Sequence, residues 1–235
     1  MKNLLIVAHR GFSAKYPENT LLAFRKAIDL GVDFIEIDVH ETKDGELVVI
    51  HDHTLERTTD GKGYVKEKTF REIREFDAGK WKGKFEGVKI PSLDEVLALV
   101  AGKIKLMIEI KEARPEKIIE LLRKHGMEES VVMGSFNLEY VTKVRKTAPV
   151  ISTALISGEF PESPDVLVSN GIPLLDVEYH QINRDRVKQF VSRGISLTAW
   201  TVDDEKDMKE LVNTGISFIT TNRPDVLKKV LDASL

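Results

Sequence analysis

Short β-rich runs alternate with amphipathic stretches of helical period along almost the whole chain, and this alternation limits the fold more than any other feature. The β-rich runs fall at residues 3–9, 34–41, 105–111, 130–136, 150–156, 174–179, 196–202 and 218–221. Helical periodicity predicts helices over 19–30, 92–100, 115–124, 138–147, 163–169, 184–192, 205–213 and 225–231. Pro17 precedes the first of them, and Gly31, Gly126, Gly194 and Gly215 stand where helices should stop. Eight strands alternating with eight helices in 235 residues predict an α/β chain, a (β/α)8 TIM barrel spanning 1–235 as one domain. A doubly wound open sheet is the competing arrangement. No glycine-rich turn follows the first β-run, which counts against it.

One segment breaks the alternation. Residues 46–51 read as an extra strand, and 52–91 is polar, dotted with glycine and helical only near 70–76. A plain strand-to-helix loop has about 2–6 residues. The stretch 52–91 is therefore an insertion between the second strand and the second helix. It leaves from the C-terminal end of a barrel strand, the face on which such enzymes build their sites. It is expected to roof the site and to select the substrate's alcohol side through Phe76, Trp81 and Phe85.

Composition removes several function classes. A net charge of −3 leaves no global basic field to recruit nucleic acid. The absence of cysteine excludes disulfides, thiolate metal ligands and a cysteine nucleophile. No run approaches the ~18 apolar residues of a membrane span, and the apolar stretch at 4–8 is too short for a secretory core. The expectation is a cytoplasmic protein acting on a small molecule, with no nucleic-acid partner and no stable membrane insertion.

The chemistry lies on the strands. In Phe34-Ile35-Glu36-Ile37-Asp38-Val39, alternate side chains point to opposite faces. If Ile35, Ile37 and Val39 face the helices, Glu36 and Asp38 share the barrel interior, with Cβ atoms roughly 7 Å apart. Barrel interiors are normally filled with branched apolar side chains, and two acids there repel and lose hydration. On the next strand Glu109 and Lys111 fall on one face, opposite Leu106, Ile108 and Ile110. Three inward carboxylates predict a site for one hard divalent ion, Mg2+, Ca2+ or Mn2+. Zinc would also accept histidine, but oxygen donors dominate the set. The inward phase adds Asp176 and Glu178 on the sixth strand and Thr198 and Trp200 on the seventh, of which Glu178 and Trp200 are candidate substrate contacts. His9 and Arg10 end the first strand, and His51 ends the extra one, beside Asp52 and His53. Two histidines at neighbouring strand ends next to an acidic cluster suggest proton transfer. His40, His125 and His180 lack that setting and are expected to be structural or surface residues.

These residues also form an ordered set of motifs. They are His9-Arg10-Gly11, Glu18-Asn19-Thr20, Glu36-Ile37-Asp38-Val39, Thr42-Lys43-Asp44-Gly45, His51-Asp52 with Leu55, and Arg57-Thr58-Thr59. Further along come Ile90-Pro91-Ser92-Leu93-Asp94-Glu95-Val96-Leu97, Glu109-Ile110-Lys111, Ser135-Phe136 and Trp200-Thr201-Val202. In this order the chain resembles the glycerophosphodiester phosphodiesterase family almost end to end. The resemblance implies metal-dependent hydrolysis of glycerophosphodiesters to glycerol 3-phosphate and an alcohol. It implies His9 and His51 as an acid–base pair, Glu36, Asp38 and Glu109 as metal ligands, and Arg10 and Lys111 near the phosphate. One departure is visible. The last strand of the family usually ends in Thr-Asp-x-Pro, whereas here it reads Thr221-Asn222-Arg223-Pro224, which puts a rim contact to the substrate alcohol in doubt. A lysophospholipase D-type activity on single-chain lipids and a catalytically silent binding barrel are the alternatives.

Overall fold

The computed structural model describes residues 4–233. Its strands are β1 (Leu5–Ala8), β2 (Phe34–Glu41), β3 (Leu47–Val49), β4 (Lys105–Ile110), β5 (Val131–Ser135), β6 (Ser152–Ser157), β7 (Leu174–Glu178), β8 (Ser196–Trp200) and β9 (Phe218–Thr221). The helices are α1 (Leu21–Leu30), α2 (Phe70–Ile73), α3 (Leu93–Val100), α4 (Pro115–His125), α5 (Leu138–Thr147), α6 (Asp165–Ser169), α7 (Arg184–Val191), α8 (Glu205–Leu211) and α9 (Pro224–Asp232). Every strand except β3 pairs in parallel with its neighbours, in the order β1-β9-β8-β7-β6-β5-β4-β2, and pairing of β1 with β2 closes the ring. The expected (β/α)8 barrel is thus the observed one. The predicted strand ends are slightly long. His9 and Lys111 fall just beyond β1 and β4, at the C-terminal rim, and position 3 lies outside the described residues.

Alternation within each strand sorts the residues into layers. Ile35, Ile37 and Val39 of β2 join Leu106, Ile108 and Ile110 of β4 and the helix residues Phe24, Leu93, Leu97 and Ile118 in the main core. On the inner face, Val7, Phe34, Met107, Val132, Ala154 and Leu174 form a separate apolar cluster, with Leu5 and Phe218 against it. This cluster closes the N-terminal end of the barrel. Each such side chain contributes about 1.5–3 kcal/mol on full burial, which offsets part of the cost of the acids stacked above it. The next inward positions are polar: Glu36 and Asp38 on β2, Glu109 on β4, Asp176 on β7, Thr198 on β8 and Thr220 on β9.

The insertion is a small satellite with its own apolar cluster of Val48, Ile50, Leu55, Val65, Ile73, Ala78 and Ile90. Several motif residues turn out to be architectural. Thr42 and Asp44 shape the turn from β2 to β3, where Glu46 N donates to Thr42 Oγ1 (2.9 Å) and Gly45 takes φ +84°. Ser92 and Glu95 make a reciprocal capping box on α3, satisfying two backbone donors at its start. Gly11 takes φ +81°, and a Cβ there would lie 2.9 Å from Ala23 and Phe24 atoms, so the turn after His9 tolerates no side chain at that point. No helix among the described residues is long and apolar enough to cross a membrane.

Candidate active site

At the C-terminal rim, His9, Arg10, Glu36, His51, Glu109, Lys111 and Trp200 line one cavity of about 310 Å³. Asp38 is fully buried in its wall. The cavity runs down into the barrel between Met107, Val132, Ala154, Ile156, Asp176 and Thr220. An open groove lies alongside, lined by His40, Asp52, His53, Thr54 and Glu112, and the two meet at His51 and Lys111.

Carboxylate oxygens of Glu36, Asp38 and Glu109 lie within 4.8 Å of one another. Register explains this: Asp38 and Glu109 are direct partners across the β2–β4 pair. Nearby cations only partly balance them. Lys111 Nζ is 2.6 Å from Glu109 Oε1 and 3.3 Å from Asp38 Oδ1, and Arg10 Nε is 3.4 Å from Asp38 Oδ2. Arg10 is shared with Glu18, whose Oε1 accepts from its Nη1 at 2.8 Å. Burial, with Asp38 beside it, pushes Glu36 well above the usual carboxylate range. The same two causes raise Glu109 to about 7. Burial also opposes ionisation of Asp38, but Lys111 and Arg10 overcome it and hold that group at about 2. Asp38 Oδ1 is buried and receives no hydrogen bond. An oxygen-only donor set that includes a buried carboxylate oxygen receiving no hydrogen bond fits a hard divalent cation.

The turn after β1 builds around this cluster. Arg10 at φ +55° donates its backbone N–H to Glu36 Oε2 (2.9 Å). Asn19 at φ +54° donates Nδ2 to Asp38 Oδ2 (2.8 Å), and Thr20 caps α1. The Glu18-Asn19-Thr20 motif thus divides into an arginine clamp, a carboxylate orienter and a helix cap.

Both histidines are fixed through Nδ1. His51 Nδ1 donates to Asp52 Oδ1 (2.6 Å), and Arg57 Nε holds Asp52 Oδ2 at 2.7 Å. Arg57 also reaches both oxygens of Glu18, at 2.8 and 2.9 Å. Hydrogen bonds from Arg57 keep Asp52 ionised far below the ordinary aspartate range. The insertion therefore clamps its own histidine to the barrel. On the other side, Asn222 Nδ2 donates to Asp203 Oδ2 (2.6 Å). A carboxylate only accepts, so Asn222 must turn Oδ1 towards His9, and His9 Nδ1 donates to it at 2.8 Å. The His9 ring then carries its free lone pair on Nε2, 3.9 Å from Glu36 Oε2. Burial, then Arg10, lowers the His9 pKa to about 4, so the ring is neutral at physiological pH. Asn222 thus stands between the His9 ring and the Asp203 carboxylate.

Two further sets of side chains lie away from the cavity. Glu178 is not among the cavity residues. It caps a short 3-10 helix, accepting from His180 N (3.0 Å) and pairing with His180 Nδ1 (2.6 Å), because β7 ends there and its side chain turns along the surface. The three insertion aromatics do not roof the site. Phe76 covers Gly61, Phe85 packs tilted against Tyr16 with ring centroids 5.7 Å apart, and Trp81 donates its Nε1–H to Ala78 O (3.0 Å). The aromatic pair at the mouth is Phe136 and Trp200, edge to face at 5.8 Å. His40 donates its Nε2–H to the His51 carbonyl oxygen (3.0 Å), and His125 pairs with Asp94.

A polar rim of paired histidines and clustered acids at the C-terminal end of a closed parallel barrel defines a (β/α)8-barrel hydrolase. The sequence profile of the glycerophosphoryl diester phosphodiesterase family matches residues 9–226, and the chain belongs to that family. It is 40% identical over 232 residues to a glycerophosphodiester phosphodiesterase of Caldanaerobacter subterraneus subsp. tengcongensis, covering 95% of this chain and 96% of that one. It is 35% identical to a Bacillus subtilis glycerophosphodiester phosphodiesterase, covering 97% and 86%. Among solved structures, an Oleispira antarctica phosphodiesterase in complex with the product sn-glycerol-3-phosphate superposes with a TM-score of 0.93 at 27% identity, covering 97% of this chain and 96% of that one.

Proposed function

We propose that the protein hydrolyses glycerophosphodiesters to glycerol 3-phosphate and an alcohol, with one divalent ion held by Glu36, Asp38 and Glu109 and with His9 and His51 moving protons. The observation that carries this reading is the meeting of cavity and groove at His51 and Lys111, directly beside the three carboxylates. A diester has two arms and one phosphate, and the site has two recesses and one junction. A bound ion would draw charge from the phosphoryl oxygens. Lys111 and Arg10 stabilise that charge from the sides. His9 Nε2 takes a proton from the attacking water as the new P–O bond forms. His51, backed by Asp52, gives a proton to the leaving oxygen as the old P–O bond breaks. Neither a silent barrel nor a lysophospholipase D-type reading is favoured: the site is intact, and the family relatives carry the glycerophosphodiester name.

The direct test is incubation with sn-glycero-3-phosphocholine and Mg2+. Glycerol 3-phosphate and choline should appear in equal amounts. Phosphocholine and glycerol instead would place cleavage on the wrong P–O bond and overturn the assignment.

The positioning of His9 is separately testable. Asn222→Ala removes the acceptor that holds its Nδ1–H. Loss of a group that orients a site residue typically costs about 10–100-fold, and the loss should appear in kcat with KM little changed. Wild-type kcat in this variant would mean that Asn222 does not position the ring.

A further inference from the structure

The deep end of the cavity holds polar groups that the proposed chemistry does not use. Asp176 and Thr198 are direct partners across the β7–β8 pair, and Thr220 stands one strand further round on β9. Thr198 is 0% and Thr220 2% exposed. Asp176 Oδ1, Thr198 Oγ1 and Thr220 Oγ1 are all buried with no hydrogen-bond partner in the protein. Leaving such groups unpaired is costly, each by an amount comparable to a lost hydrogen bond or more. Asp176 and Thr220 line the cavity, so their missing partners are to be found in what the cavity receives. Met107 of β4 and Val132 of β5 line the side across the ring from β8 and β9, and Ile156 stands directly beside Asp176 on β6. Below, Phe34, Leu174 and Phe218 belong to the apolar cluster that closes the barrel, so the recess is blind.

A blind recess with hydroxyl-pairing groups on one wall and hydrocarbon on the other suits a short polyol, whose O–H and C–H faces differ in the same way. It does not suit the alcohol arm of a diester, which varies in size and needs an open end. From this geometry we infer that Asp176 and Thr220 form the glycerol-recognising end of the site, seating the glycerol arm inside the barrel and leaving the alcohol arm in the open groove beside His51, His53 and Thr54. The inference rests on the hydrolase reading for the identity of the substrate. It adds which arm goes where and which residues choose it. It also divides the histidines. His51 borders the groove, next to the leaving alcohol, and His9 lines the inner cavity, next to the glycerol.

The test compares Thr220→Val and Asp176→Ala with the wild type on two substrates, sn-glycero-3-phosphocholine and bis-p-nitrophenyl phosphate, which has no glycerol. Thr220→Val is nearly isosteric and breaks no hydrogen bond within the protein, so it should fold; thermal melting checks this for both variants. For each variant, kcat/KM on the glycerol diester should fall about 10–100-fold further than on the aryl diester, as expected when a substrate hydroxyl loses a buried partner. Calorimetry with Mg2+ present should show a loss of at least about tenfold in affinity for glycerol 3-phosphate, well beyond any change for inorganic phosphate. Equal losses on both diesters, or unchanged discrimination between glycerol 3-phosphate and phosphate, would overturn the glycerol assignment. If the wild type hydrolyses neither diester, the hydrolase reading fails, and the calorimetric comparison still decides whether this recess recognises glycerol.

Discussion

Stripping divalent ions with a chelator is expected to reduce diester hydrolysis to background, and adding Mg2+, Ca2+ or Mn2+ should restore it. The expectation follows from the imbalance within the barrel. Glu36, Asp38 and Glu109 converge within 4.8 Å, while Arg10 is divided between Asp38 and Glu18 and only Lys111 is left to the cluster. Buried like charges at this spacing need a counter-charge that the side chains do not supply. Glu36→Gln keeps an oxygen that can accept the Arg10 N–H, so the turn after β1 should survive. It removes one of three anionic donors, and metal affinity should fall by more than about 100-fold, the upper end of what losing a mere supporting partner costs. Calorimetric titration with Mn2+ measures this directly. Full activity in metal-free buffer, or Glu36→Gln binding Mn2+ as tightly as the wild type, would remove the carboxylates from the role assigned to them.

His51→Ala and His9→Ala should each lower kcat by roughly 10²–10⁴, the usual worth of a positioned proton-transfer group. The two losses should differ in their dependence on the leaving group. Burial sets the His51 pKa below its ordinary value, while Asp52, held by Arg57, works against that shift and supports the ring when it carries the proton it is to donate. His9 is braced by the neutral amide of Asn222 and is held neutral, which suits an acceptor. A good leaving group such as p-nitrophenolate needs no proton, so it should recover most of the loss in His51→Ala and little of it in His9→Ala. Measuring both variants on sn-glycero-3-phosphocholine and on its p-nitrophenyl counterpart decides the matter. Near-wild-type turnover in either variant would dismiss that histidine, and equal recovery in both would erase the division of labour.

The barrel and its acidic cluster were legible because strand alternation is local. Once Ile35, Ile37 and Val39 are assigned outward, Glu36 and Asp38 have no other place to go, and the structure puts them there. Glu178 follows the same phase, but as the last residue of β7 its carboxylate caps the turn that follows and pairs with His180, contacts that no strand pattern encodes. The braces behind the histidines were harder to foresee. Asn222 and Asp203 reach His9 from the far end of the chain, 213 residues away in the case of Asn222, and no local pattern encodes that meeting. Arg57 and Glu18 stood in conspicuous motifs, but their partnership across the insertion is tertiary. Asp176 was visible on an inward phase; what sequence could not reveal is that nothing in the protein answers it. The aromatics of the insertion misled for a related reason. Phe76 packs within the satellite over Gly61, and Phe85 packs against Tyr16 of the loop after β1, uses that composition alone does not distinguish from a place at the site.

The apolar plug of Val7, Phe34, Met107, Val132, Ala154 and Leu174 has a consequence for traffic through the molecule. A chamber with one door imposes a queue. Whatever sits deepest must enter before the door is occupied and can leave only after it clears. If the glycerol arm lies innermost, as inferred above, the alcohol should depart first and glycerol 3-phosphate last. Turnover would then be expected to fall as the level of glycerol 3-phosphate outside rises.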